Sequence, residues 1–267
     1  MKTDLKQVVR EKYTEVVQRE SSCCGNNGCG AESAFSLDYE GQEGYVKDAD
    51  YGLGCGIPTE AVHIETGQTV LDLGAGAGND VFVARRLVGE TGRVIGLDFT
   101  EAMVKQANAN KAKLGYQNVE FILGDIEDMP LPEDSVDVII SNCVLNLVPD
   151  KEKAFGEAYR VLKPGGRFAI SDIVILGEIP PAVREVAELY AGCVSGALPQ
   201  EEYLEIVKTA GFENIGLAKD RPIQLSDELL LEYISPEALQ AFRLSGAQLK
   251  SITVIAEKPC CEPGCCN

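Results

Sequence analysis

From Thr69 onward the chain alternates short apolar runs with amphipathic stretches, and this alternation limits the possible folds more than any other feature. The runs "TVLDLG", "RVIGLD", "NVEFILGD", "VDVIISN" and "RFAISDIV" have the length and β-branched content of buried strands. Between them, "NDVFVARRLVG", "TEAMVKQANANKAKLG" and "PDKEKAFGEAYRVLKPGG" carry helical periodicity. Thr100 is the expected N-cap of the second, and Pro164-Gly165-Gly166 ends the third. Two later runs, "NIGLAKDRPI" and "LKSITVIAEK", bring the expected strands to seven. Strands joined through helices require right-handed crossovers, so the chain is expected to form an α/β, doubly wound, mostly parallel seven-stranded sheet.

Around this core the pattern differs. Leu5, Val8, Val9, Tyr13, Val16 and Val17 mark an amphipathic helix over residues 4–19, followed by the Cys-rich loop "SSCCGNNGCG". Helices are expected near "PPAVREVAELYAG", "PQEEYLEIVKTAG" and "SPEALQAFRLSG". The chain divides accordingly into an N-terminal helix with Cys-rich loops (1–66), the doubly wound core (67–175), lid helices with the last strands (176–258), and a Cys-rich tail (259–267) expected to be mobile.

At 267 residues the chain can bury roughly three quarters of its unfolded surface, so a core forms without disulfide staples. The formal net charge is -18, with 24 basic against 42 acidic residues. Phosphate neutralisation needs clustered Lys and Arg, so neither nucleic acid nor an anionic membrane surface is an expected partner. No run reaches the ~18 apolar residues of a membrane span, and the N-terminal stretch lacks the apolar segment of a signal peptide. A cytoplasmic location is therefore expected, where the ten cysteines would be thiols with chemical work rather than structural disulfides.

"VLDLGAGAGND" sets Gly74, Gly76 and Gly78 at a strand-to-helix turn, with Asp72 before them and Asp98 twenty residues after Gly78. Glycines let a backbone pass close to a ligand, and a carboxylate at the end of the second strand suits ribose hydroxyls. With the later "LGDIEDMPLP", this combination resembles the S-adenosylmethionine-dependent methyltransferases of the Rossmann-like class over residues 69–171. The resemblance implies that Asp72 and the glycines line the methionine part of S-adenosylmethionine, that Asp98 binds ribose, and that Asp125 and Ile126 meet the adenine. Met103 and Asn142 complete the expected cofactor-binding set.

Methylation of oxygen or nitrogen usually leaves a proton for a base. The one histidine, His63, precedes the first core strand and reads as structural. A soft nucleophile with a lone pair needs no base, which turns attention to the thiols. Cys143 follows the fourth strand, and ligands of doubly wound sheets sit outside the carboxyl ends of strands. Cys193 lies after the fifth strand and Cys55 before the first, so three distant thiols have a path to one soft ion.

"SNCVLNLVPDK", "GCGIP", "AGCVSGAL" and "EEYLEIVKTAGF" resemble the arsenite methyltransferases over most of the chain. The resemblance implies that Cys143 and Cys193 hold trivalent arsenic, with Cys55 a third ligand or the resolving thiol. Arsenic would attack the sulfonium methyl through its lone pair, and thioredoxin or glutathione would reopen a disulfide left on the enzyme. The roles of Cys23, Cys24, Cys29, Cys260, Cys261, Cys265 and Cys266 stay open. Two rival readings also stand: a methyltransferase for a quinone- or sterol-type substrate in which the cysteines merely pack, and a metalloid-binding protein without turnover.

Overall fold

The computed structural model describes residues 5–18, 39, 41–178, 196–223 and 226–260. Within them the seven strands are β1 (Thr69–Leu73), β2 (Arg93–Asp98), β3 (Val119–Leu123), β4 (Val136–Asn142), β5 (Leu162–Leu176), β6 (Glu213–Ile223) and β7 (Gln248–Glu257). They form one sheet in the order β3-β2-β1-β4-β5-β7-β6. The first five are parallel, and β7 is antiparallel to both of its neighbours. The helices, in chain order, are α1 (Leu5–Gln18), α2 (Asn79–Val88), α3 (Glu101–Leu114), α4 (Lys151–Val161), α5 (Gln200–Thr209), α6 (Asp227–Leu231) and α7 (Pro236–Ser245).

Helices cover both faces of the parallel part, so its strands are apolar almost throughout rather than alternating. Successive residues still turn to opposite sides. Leu71, Leu73 and Ile139 join a core with Phe155 and Phe168, while Val70, Val138 and Ile140 pack with Phe82 and Val81 of α2. Strand order reverses between β1 and β4, so the carboxyl ends of these two strands flank the crevice where a ligand enters such a sheet.

The expected sheet is thus present, with two local differences. The helix expected to run to Pro164-Gly165-Gly166 ends at Val161, where Leu162 turns extended (φ -74, ψ 133) and pairs with Val136. Pro164 disfavours helical geometry in the residue before it, so the chain leaves the helix early and Leu162–Gly166 continues into β5. Thr100 is the N-cap residue of α3, but its hydroxyl makes no capping bond. Instead its N–H donates to Asp98 Oδ1 at 2.8 Å. The helix expected near "PPAVREVAELYAG", with Cys193, lies outside the described residues, as do Cys23, Cys24, Cys29, Cys261, Cys265 and Cys266. Among the described residues no helix is long and apolar enough to cross a membrane.

Candidate active site

The turn after β1 opens a cavity of about 1140 Å³, open mouth included, lined by Asp72, Gly74, Gly76, Asp80, Asp98 and Cys143 among others. Gly74, Gly76 and Gly78 all have positive φ, at 71°, 52° and 101°. At Gly76 a side chain would project into the cavity, its Cβ meeting nothing nearer than Met103 Sδ at 4.0 Å. The backbone there is a cradle left open for a ligand.

Three buried carboxylates surround it. Asp98 Oδ2 accepts from Gly76 N at 2.9 Å, tying the end of β2 to the turn. Burial raises the Asp98 pKa, and hydrogen bonds from Thr100 and Gly76 oppose that rise. Asp72 is pushed well above the usual carboxylate range by burial and by the nearby charges of Asp80 and Asp98. Asp80, at the start of α2, is raised to about 6, chiefly by burial, against hydrogen bonds from Asn142 and Tyr39. Three acids crowded out of water favour a cationic ligand, which relieves their mutual repulsion.

In the same lining Ile126 and Met103 are buried and Asp125 is half-buried. Lys6 of α1 donates to Asp125 Oδ2 and Glu127 Oε2, both at 2.7 Å. This contact brings α1 to the pocket, with Lys6 and Tyr13 among its lining residues.

β4 runs out at Asn142 and is followed by Cys143, which also lines the cavity. Its φ of 61° is rare for a residue with a side chain, and its N–H donates to Ser171 O at 2.8 Å. Cys55 is fully buried, and it shares an apolar cluster with Cys143, Leu147, Ile173 and Ala197. Ala197 lies four residues after Cys193, so the described chain resumes beside the two thiols. Behind them Tyr203 donates to Asp172 Oδ2 at 3.2 Å, and both Cys55 and Cys143 lie near enough to the phenol to help raise its pKa, after burial and Asp172. His63 is exposed beside Glu65 and is not among the residues of the cavity lining.

The cavity lining therefore includes Asp72, Gly74, Gly76, Asp98, Met103, Asp125, Ile126, Asn142 and Cys143. Gly78 stands behind the lining as the N-cap of α2, and Cys55 lies in the neighbouring apolar cluster. Sequence reasoning missed Asp80, Tyr39, Lys6 and Tyr13. Asp80 follows the glycine turn directly in "GAGND" and was legible as a first-turn acid; Tyr39 carries no local signal.

The cavity fits S-adenosylmethionine. Asn79 Oδ1 is buried in its lining without a hydrogen-bond partner, the Gly76 cradle is open, and the acids suit a ligand bearing ammonium and sulfonium charges. Fold and site together define an S-adenosylmethionine-dependent methyltransferase, and the family model of a methyltransferase domain matches residues 64–211. An arsenite methyltransferase of Halobacterium salinarum is 39% identical over 96% of this chain and 67% of its own length. Another, from Aquipseudomonas alcaligenes, is 35% identical over 95% of this chain and 74% of its own. The crystal structure of CrArsM, an arsenic(III) S-adenosylmethionine methyltransferase from Chlamydomonas reinhardtii, superposes with a TM-score of 0.67. It is 35% identical and covers 87% of this chain and 73% of that one. The chain belongs to the arsenite methyltransferase family.

Proposed function

We propose that the protein transfers methyl groups from S-adenosylmethionine to trivalent arsenic held by Cys143 and Cys193, with Cys55 as third ligand or resolving thiol. The observation that carries the assignment is the placement of two buried thiols, Cys143 on the cavity wall and Cys55 in the apolar cluster behind it. Three thiolates neutralise As(III), so the resulting thiolate complex suits an apolar cage and needs no cationic partner.

The cofactor supplies a methyl carbon activated by the positive sulfonium. Asp72 and Asp80 would face the cationic part of that ligand beside the glycine turn, while Asp98, bonded to Gly76 at the end of β2, would take the ribose hydroxyls. The strained backbone at Cys143 aims the thiol from the end of β4, so the protein contributes position rather than acid–base chemistry. The arsenic lone pair forms the new As–C bond, the C–S bond breaks, and arsenic becomes formally pentavalent. Two thiolates closing a disulfide return the electron pair to arsenic. An external dithiol or glutathione then reduces the enzyme, taking the role of reductant. The intended setting is the reducing cytoplasm, and the substrate is a small molecule, arsenite or its thiol adduct.

The test is arsenite-driven release of S-adenosylhomocysteine with a thiol reductant present. Wild type is expected to turn over, and Cys143→Ser and Cys193→Ser are expected to lose at least a hundredfold in rate. Retained transfer in both variants overturns the thiol cage. Arsenite binding without any turnover in wild type would favour a metalloid-binding protein instead.

A further inference from the structure

The loop that carries Cys55 is held to the end of β4 by one side chain. Asn142 Oδ1 accepts the N–H groups of both Cys55 and Gly56, each at 3.0 Å. Its amide nitrogen lies 2.8 Å from Gly56 O, 2.7 Å from Tyr39 Oη and 3.1 Å from Asp80 Oδ2. The Tyr39 hydroxyl lies 2.9 Å from Gly56 O and 2.9 Å from Asp80 Oδ1. A phenol has one proton, so it donates to one of these two acceptors at a time. Ser251 Oγ closes the arrangement by donating to Cys55 O at 2.7 Å. The approach is close enough that a Cβ on Gly54 would come within 2.6 Å of Asn142 Nδ2.

We propose that Asn142 is a positioning residue that, with Tyr39 and Asp80, fixes the backbone of Cys55 and ties it to the cofactor pocket. Asn142 ends β4 immediately before Cys143, so a single asparagine sets the relative placement of two thiols 88 residues apart in sequence. Asp80 and Tyr39 also line the pocket, so a ligand that engages Asp80 changes what Tyr39 and Asn142 donate to, and with it the hold on Cys55. The network is built of charge-assisted and backbone-directed bonds in a buried setting, where losing one partner leaves others unsatisfied. The proposal rests on the reading of Cys55 as a working thiol, but its test does not require arsenic.

The experiment measures the alkylation rate of Cys55 by iodoacetamide in the full chain, resolved by peptide mass spectrometry, with and without saturating S-adenosylhomocysteine. In wild type, Cys55 is expected to react slowly, and the nucleoside is expected to alter that rate several-fold. Asn142→Ala should speed the reaction at least tenfold and abolish the response to the nucleoside. Tyr39→Phe keeps the buried ring and serves if Asn142→Ala fails to fold; it is expected to lose the response too. Wild-type rates and wild-type response in Asn142→Ala and Tyr39→Phe would overturn the proposal. Arsenite stoichiometry unchanged in Cys55→Ser would instead remove Cys55 from the arsenic site and leave the positioning result standing.

Discussion

Gly56 shows how a single position constrains the site. A Cβ there would come within 2.5 Å of Ser171 Cβ and closer still to Ser171 Oγ, on the strand beside β4. Ser171 is buried and bonded to Thr253 at 2.9 Å, so it has little room to move. Gly56→Ala is expected to destabilise the fold by roughly 1–3 kcal/mol, the usual cost of overpacking, seen as a lower urea midpoint with the slope unchanged. Asp80 supports a second expectation. Its folded pKa of about 6 means that it is largely ionised above that pH and protonated below. An ionised Asp80 attracts the permanently cationic cofactor, so affinity for S-adenosylmethionine should rise as pH increases through about 6. Asp80's charge in turn helps to hold the Asp72 carboxyl well above the usual range, after burial. Equilibrium dialysis across pH 5–8, a window chosen around the ~1-unit spread of perturbed carboxylates, checks this. The dependence should flatten in Asp80→Asn, and an equally steep profile there would contradict the assignment.

At the level of elements, α1 and β4 both contribute residues to the cavity lining. β4 is buried on both faces and registered against β1 through Leu73 and Ser141, whose hydroxyl donates to Leu73 O at 2.9 Å. That rigidity allows the strand to end in a strained cysteine without unravelling. The helix α1 buries Val9 in the apolar cluster that holds Cys55 and Cys143, and is held at the pocket by Lys6 to Asp125 and Glu127 and by Arg10 over the ring of Phe99 at 5.5 Å. Burial lowers and its two carboxylate partners raise the Lys6 pKa, with a net rise, while Asp125 is lowered against its own burial by Lys6 and by the N–H of Glu127. These groups are part-exposed, so the ion pairs are worth under ~1 kcal/mol after solvent screening. Lys6→Ala is therefore expected to raise the KM for S-adenosylmethionine by up to about fivefold, the equivalent of that energy, by loosening the helix whose Tyr13 completes the pocket wall. Arsenite affinity and Tm should barely change. A lowered KM would mean that Lys6 competes with the cofactor for Asp125.

For the whole molecule, the topological switch between β1 and β4 explains why a thiol after β4 and a glycine turn after β1 face one crevice. That much was legible, because strand runs, glycine turns and their order are local in sequence. The place of Cys143 followed from the same rule. The Asn142 network was not legible: Tyr39 and Asn142 are 103 residues apart, and no local pattern marks a contact closed only by folding. The insertion of β7 between β5 and β6 is likewise a long-range pairing, invisible to periodicity. Nor was Lys6 legible, since nothing local in the amphipathic helix marks the residue that meets Asp125 across 119 positions. The acidic balance, used in the sequence only against nucleic acid and anionic membranes, also appears inside as the buried Asp72, Asp80 and Asp98 cluster. The central claim is that arsenic is held by cysteine sulfur at the end of β4. X-ray absorption at the arsenic edge of the arsenite-loaded protein counts its ligands directly. The account predicts a sulfur-only shell that loses one sulfur in Cys143→Ser, and a shell containing oxygen in wild type, or one unaltered by that substitution, would contradict it.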